Sequence, residues 1–397
     1  MNAPIPLEDA QAHLLGGIVP LPAEQLPAAE AVGRYLAQPL EAKRTQPAAD
    51  LSAMDGYAMK AGESGPWRVI GESAAGHPFG GTLGTGEAIR ISTGALIPAG
   101  ADAVLLQENA AREGDTLSLN GEGDPHPRHI RRMGFDFRNG DTLLPPGTRI
   151  GAGQLGLAIA AGNEALAVHR LPRLAILDSG DELAAIPSAA AHRIPASNGP
   201  MLAAMAGRFA ANIQRLGPVP DDLGALAAAL DAASGADVIV TSGGVSVGDH
   251  DLIRPALEGW GAEITFWRVA MRPGKPLLVA RRGAQIVLGL PGNPVSSYVT
   301  AFFFLLPLLR ALAGDPDPLP RPVAIPLGND LPTGGDRLEF MRARYADGVV
   351  TSFSERDSSA LRTLALANAL IERPALVDPA PRGTPVPVYL IENGGVA

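Results

Sequence analysis

The chain has 397 residues, 46% of them hydrophobic, with 47 glycines and 37 prolines. That balance excludes a disordered chain and predicts several packed domains joined by many tight turns. Cysteine is absent, which excludes disulfides, thiolate metal sites and a cysteine nucleophile, and the net charge of −9 disfavours a nucleic-acid partner. Any positive charge used on an anionic ligand must therefore be gathered locally.

Residues 1–45 place Leu14, Leu15, Leu21, Leu26, Val32, Leu36 and Leu40 at helical spacing and predict a helical scaffold. The first residues lack a basic start followed by an unbroken apolar run, so no secretory signal is expected. AADLSAMDGYAMKA follows, with Asp55 and Gly56 at a tight turn. Over residues 67–109, short β-like runs (WRVI, AIRIS, AVLLQE) separated by Gly/Pro turns predict a small β-rich module. Thr93 and Gly94 offer a hydroxyl and a bare amide just after one of these strands, which suits either a phosphate contact or a plain strand-end turn. HPRHIRRMGFDFRNGD gathers His126, Arg128, His129, Arg131 and Arg132 ahead of Asp136, a run that reads equally as a solvated face. Helical spacing returns in GQLGLAIAAG.

From about residue 172 to 314 the pattern is α/β. Three short apolar runs without alternation, at 174–177, 238–240 and 286–290, have the signature of strands buried on both faces of a parallel sheet. The first empties into Asp178, Ser179, Gly180, Asp181 and Glu182. The second empties into Thr241, Ser242, Gly243, Gly244, Ser246 and Gly248, and the third into Pro291, Gly292, Asn293, Pro294, Val295 and Ser296. Bare amides in glycine loops let a phosphate approach closely. In an open parallel sheet, three such loops share the rim beyond the carboxyl ends of the strands.

Asp181, Glu182, Asp249 and Asp251 read either as helix caps or as oxygen ligands for a magnesium ion bridging phosphates. In RVAMRPGKPLLVA, Arg272 and Lys275 flank a Pro-Gly turn without the spacing of a Walker loop. They read as an oxyanion site or as two solvated charges. The most apolar stretch, residues 298–309, is too short to span a bilayer and predicts a buried helix. Prolines 316, 318, 320 and 322 end the segment, and the runs beyond them predict a second β-rich module. HExxH is absent, and neither GxSxG nor GxGxxG stands at a strand-to-helix junction, which disfavours a zinc protease, a serine hydrolase and a dinucleotide dehydrogenase.

Taken in order, SAMDGYAM, STGALIPAGADAV, IRRMGFD, SGDEL, SNGPML, TSGGVSVGD, MRPGKP and LPGNPVSS make the chain resemble the molybdopterin molybdenumtransferases, the family of MoeA and the gephyrin E domain. The resemblance implies a multidomain α/β protein. Its parts would be a discontinuous helical and extended scaffold domain (1–45 with 140–170), a small β-rich domain carrying MDGYA (46–139), a three-layer, mostly parallel α/β domain like MogA and MoaB (171–316), and a C-terminal β-barrel-like domain (317–397). It further implies a cytoplasmic homodimer, with molybdopterin adenylyltransferase and molybdoenzyme maturation proteins as partners and neither membrane nor nucleic acid. The implied reaction takes adenylylated molybdopterin and molybdate, cleaves the phosphoanhydride with magnesium present, and releases AMP.

Carried over by position, the resemblance makes Asp55, Asp136, Glu182, Asp237 and Asp249 the acidic functional positions, while Asp181, Glu182, Asp249 and Asp251 stay the metal candidates read from the loops themselves. Ser242, Gly243, Gly244, Ser246 and Gly248 would hold nucleotide or pterin phosphates, Thr93 would belong to the same rim, and Gly94, Gly292 and Asn293 would be further substrate-binding positions. Arg272, Lys275, Ser296, Arg337, Ser358 and Ser359 would approach molybdate. Ser179 and Arg272 stand where the family has threonine and lysine and keep the hydroxyl and the charge, whereas Phe135 replaces a glutamate beside Asp136. The competing functions are the adenylyltransferase that makes the substrate and a non-catalytic scaffold of the gephyrin kind.

Overall fold

The computed structural model describes residues 4–184, 192–243 and 252–391. Within the described residues 4–45 the only α-helix is α1 (Leu7–Leu15); Ala28–Ala31 is a single 3-10 turn and the remainder is extended or turned. The helical expectation fails because Pro20, Pro22, Pro27 and Pro39 interrupt the leucine spacing. Proline removes a backbone donor and disfavours the helical conformation in the residue before it.

The chain divides into two compact units: Gln25–Val32 with Gln38–Ala167, and Met1–Glu24 with Gly33–Ala37 and Val168–Ala397. In the first, β1 (Gly56–Met59), β2 (Trp67–Ser73), β3 (Glu87–Ile91), β4 (Ala103–Leu106), β5 (Ala110–Glu113) and β6 (Thr116–Leu119) form one sheet in the order β4-β1-β3-β2-β6-β5. Alternation places Tyr57 and Met59 in one apolar cluster and Ala58, between them, in another. A Cβ on Gly56 would overlap the Leu105 carbonyl oxygen on β4, so the MDGYA turn needs glycine there. Helix α2 (Ala152–Ala160) forms where the spacing predicts one.

The second unit contains β7 (Arg173–Ser179), α3 (Asn198–Ala206), β8 (Asn212–Val219), α4 (Leu223–Ala232), β9 (Val238–Ser242), α5 (Ile253–Gly259), β10 (Glu263–Arg268), β11 (Met271–Arg272), β12 (Pro276–Arg282), β13 (Gln285–Leu290) and α6 (Pro294–Leu312). One sheet has the order β8-β7-β9-β13-β12-β10; its first four strands are parallel, while β12 runs antiparallel to both β13 and β10. Three of those parallel strands are the apolar runs read from the sequence. Leu174, Ile176, Val238, Val240, Ile286 and Leu288 face one cluster with α1, α3 and α6. Ala175, Leu177, Ile239 and Val287 face the opposite cluster with α4 and α5. Both faces are thus covered, which explains why these strands show no polar alternation.

Helix α6 is long and apolar enough by length and composition to cross a membrane, but most of it is buried inside the protein. It extends well beyond the stretch read from sequence and runs through Pro307. A π-helical turn at Ala301–Leu305 precedes that proline, and the Phe303 carbonyl, four residues back, accepts a hydrogen bond from Gln11 Nε2 of α1 at 3.0 Å. The missing Pro307 N–H is replaced by a side-chain donor from another helix.

The same unit continues with β14 (Val323–Pro326), β15 (Leu338–Ala346), β16 (Val349–Ser352), β17 (Ala369–Arg373) and β18 (Pro385–Leu390). These pair in the order β14-β18-β17-β15, β16 adds to β15, and a bridge between Leu327 and Val350 closes the ring as a small barrel. Strand β11, which sits between β10 and β12 in the chain, pairs with β15 (Met271 opposite Leu338, Arg272 opposite Glu339).

Candidate active site

Register brings the three loops together. Asp178 on β7 lies opposite Ser242 on β9, which lies opposite Leu290 on β13, so all three strands end on one line. Gly243 follows with φ +98°, and a Cβ there would overlap the Ser179 carbonyl oxygen. The turn that bends the second loop over the first therefore excludes a side chain. Asn198, the first residue of α3, donates from Nδ2 to Ser242 Oγ at 2.9 Å and to the Gly292 carbonyl at 2.7 Å, tying the second loop to the third.

These groups line a cleft of about 670 Å³. Asp178 lies at its base, only 6% exposed, and accepts a hydrogen bond from the Gly199 N–H. Burial pushes its carboxyl above the usual range; the Gly199 N–H and the charge of Arg215 offset that only in part. The Ser179 hydroxyl is buried with no hydrogen-bond partner among the described residues.

A second cavity, of about 350 Å³, adjoins the cleft, and Pro276 and Ser296 line both. Its walls come from the β11–β12 turn, the start of α6 and the barrel. Arg272 and Lys275 are exposed here and have no carboxylate partner among the described residues. The other arginines are engaged. Arg356 pairs with Glu339 at 3.2 Å, and Arg337 lies 3.6 Å from Asp336. The buried Arg342 guanidinium donates to the carbonyls of Glu355, Asp357 and Ala360, which fixes the loop bearing Ser358 and Ser359. Asn293 Nδ2 donates to Ser358 Oγ at 3.0 Å, and Val295 N–H donates to the Ser358 carbonyl, so this loop is fastened to the rim.

Arg272, Lys275, Gly292, Asn293, Ser296, Arg337, Ser358, Ser359, Ser242, Gly243 and Glu182 thus gather around two adjoining cavities. Asp55, Thr93 and Gly94 gather in the other unit. There the Thr93 N–H donates to Asp55 Oδ1 at 2.6 Å and, with the Thr93 side chain, holds the Asp55 carboxyl below its usual range. Asp136 is exposed in that unit, next to an exposed Phe135.

Asp237 is not at the rim. It precedes β9 at the amino end of the sheet, roughly 16 Å along the strand from Ser242. There it takes both guanidinium nitrogens of Arg170 at 2.8 Å and the Arg173 N–H at 2.7 Å. Asp181 does not face the cleft either: it exchanges backbone-to-carboxylate hydrogen bonds with Asp221, each 3.3 Å. Gly244, Ser246, Gly248, Asp249 and Asp251 lie outside the described residues. Among the described residues no three His, Asp or Glu side chains converge as metal ligands. Sequence reasoning did not single out Asp178, Asn198 or Arg342 as site residues. The first two carried a signal, a carboxylate ending an apolar strand and an Asn opening a helix, but Arg342 sits in a strand and resembles any other barrel residue.

Fold and site together define an α/β protein suited to anions, with a nucleotide-sized cleft at its strand ends opening onto a pocket that holds two cations without a carboxylate partner among the described residues. Three family descriptions match in turn: the MoeA N-terminal region, domains I and II, over residues 5–162; a probable molybdopterin binding domain over 175–311; and the MoeA C-terminal region, domain IV, over 324–391. A molybdopterin molybdenumtransferase of Synechococcus elongatus is 33% identical over 93% of this chain and 95% of its own length. That of Haemophilus influenzae is 34% identical over 85% of each. The crystal structure of a molybdopterin biosynthesis MoeA protein from Pyrococcus horikoshii superposes with a TM-score of 0.85, at 27% identity, over 98% of this chain and all of that one. The chain belongs to the molybdopterin molybdenumtransferase (MoeA) family.

Proposed function

We propose that this chain is a transferase of molybdenum cofactor biosynthesis that inserts molybdenum from molybdate into adenylylated molybdopterin and releases AMP. The observation that carries the reading is the pair of cations, Arg272 and Lys275, without a carboxylate partner among the described residues, in a cavity that shares Ser296 and Pro276 with the cleft at the strand ends. A tetrahedral oxyanion needs charge-assisted donors, and a dithiolene held in the cleft would lie against them. Cleaving a phosphoanhydride asks the protein chiefly to position groups and to stabilise developing phosphate charge. Bare amides such as that of Gly243 and the hydroxyls of Ser242 and Ser296 are suited to that task.

The same reading takes in the four-domain division, a cytoplasmic setting, and magnesium as the counter-ion of the diphosphate. It also takes in a homodimer in which Asp55 and Thr93 of one copy complete the cleft of the other. The adenylyltransferase upstream and the maturation proteins that receive the product are its expected partners. Sedimentation of the purified chain at the mass of two copies is the outcome that supports the dimer.

The central test is AMP release from adenylylated molybdopterin on addition of molybdate. Lys275→Ala removes one charge-assisted contact, and KM for molybdate should rise by roughly 10- to 100-fold while the adenylylated substrate binds as before. AMP release that does not depend on molybdate would overturn the reading.

A further inference from the structure

The larger cleft has a chemical pattern that the reaction itself does not require. Asn198 spends both amide hydrogens on the protein, one on Ser242 Oγ and one on the Gly292 carbonyl. Two consequences follow from the inventory of donors and acceptors. Asn198 Oδ1 is left as an acceptor with no partner among the described residues. Ser242 Oγ, having accepted, keeps its own O–H free to donate. Beside them stands the Asp178 carboxylate, which takes a hydrogen bond from Gly199, the residue next to Asn198, and has no ion-pair partner among the described residues. A Cβ on Gly199 would overlap that carboxylate, so helix α3 begins directly against it.

Such a buried acceptor with spare lone pairs has a strong chemical preference. It is satisfied by neighbouring N–H donors and penalised by a ligand that presents oxygen instead. In adenylylated molybdopterin, the 2-amino-4-oxopyrimidine edge of the pterin offers two adjacent donors, the 2-amino group and N3–H, followed by an acceptor, the 4-oxo oxygen. The adenine edge offers a donor beside an acceptor. We propose that Asp178 and Asn198 read the 2-amino-4-oxo edge of the pterin, with the Ser242 hydroxyl donating to its oxygen, so that the pterin end of the substrate occupies the larger cleft. This rests on the functional reading above and deepens it by fixing the direction in which the substrate lies.

The probes are pterin-6-carboxylate and its 2-oxo counterpart, lumazine-6-carboxylate, titrated by fluorescence quenching against the full chain without molybdate. They differ where the 2-amino group becomes an oxygen facing Asp178, with N1 gaining a hydrogen; N3–H and the 4-oxo oxygen are the same in both. The unsubstituted protein should prefer the pterin by about 10-fold or more. Asp178→Asn can turn an amide N–H toward the oxygen, so it should abolish or invert that preference while AMP binds as before; a purely structural role for Asp178 would move neither ratio. Equal affinity of the unsubstituted protein for the two probes would overturn the proposal even if the variant failed to fold, as would an undiminished preference in a folded Asp178→Asn. Because no molybdate is present, this assay can fail while molybdate-dependent AMP release persists, and the reverse holds too.

Discussion

Two carboxylates at opposite ends of one parallel sheet have opposite fates. Asp237, at the amino end, is gripped by two arginines and a backbone N–H. Burial alone would raise its pKa, but the Arg170 hydrogen bonds, the Arg173 N–H and the two positive charges together hold it below the usual carboxylate range. Asp178, at the carboxyl end, is still more deeply buried; with one backbone donor, only the longer-range charge of Arg215 and no salt bridge among the described residues, it is raised. The first acid is already satisfied by the fold, and the second is left with capacity for a ligand. Residue type does not distinguish the two; only the partners that each end of the sheet supplies do.

The contrast can be broken most forcefully at Asp237. Removing one member of a partly buried ion pair leaves Arg170 without its counter-charge, so Asp237→Ala should lower unfolding stability by about 3 kcal/mol in a denaturant titration. Turnover per folded molecule should hardly change. A variant of normal stability and lost turnover would return Asp237 to the catalytic set. At the other end, Gly243→Ala forces a side chain into a left-handed turn and against the Ser179 carbonyl. A cost of about 2 kcal/mol is expected, with a displaced rim that shows as weaker AMP binding.

Titration sharpens the comparison further, because the two acids impose opposite slopes. The raised Asp178 favours its protonated form in the fold, so stability falls as pH rises from the unfolded carboxyl value of about 3.9 through the folded one. The lowered Asp237 does the reverse: its contribution is present above about 3.9 and is lost as pH falls through its folded value. Stability measured against pH should therefore lose its alkaline-going decline in Asp178→Asn and its acid-going decline in Asp237→Asn. The smallest effect is expected at Asn198, where Asn198→Ala deletes two hydrogen bonds at the edge of the cleft and should cost about 1 kcal/mol, seen as a lower Tm.

Much of the fold is legible from apolar runs alone, since β7, β9 and β13 are buried on both faces and must be apolar throughout. Register then follows from the sheet, and with it the shared rim. The N-terminal segment was less legible because leucine spacing continued across prolines that forbid a helix. Asp237 enters only through the family resemblance; it stands a few residues before a glycine loop in sequence, and strand β9 carries those few residues to the opposite end of the sheet. That Arg272 and Lys275 have no carboxylate partner among the described residues is not legible in the sequence, because Glu339, opposite Arg272 in the strand pairing, is taken by Arg356.

Strand β11 leaves the α/β sheet, pairs with the barrel through Met271 and Arg272, and hands the chain back at Pro276. This makes the junction a suture in the backbone instead of a docking of finished surfaces. The cations carried by that stitch take their spacing from main-chain pairing, so a chimera that borrows another relative's barrel must borrow a matching edge for β11 or leave its oxyanion grip misaligned.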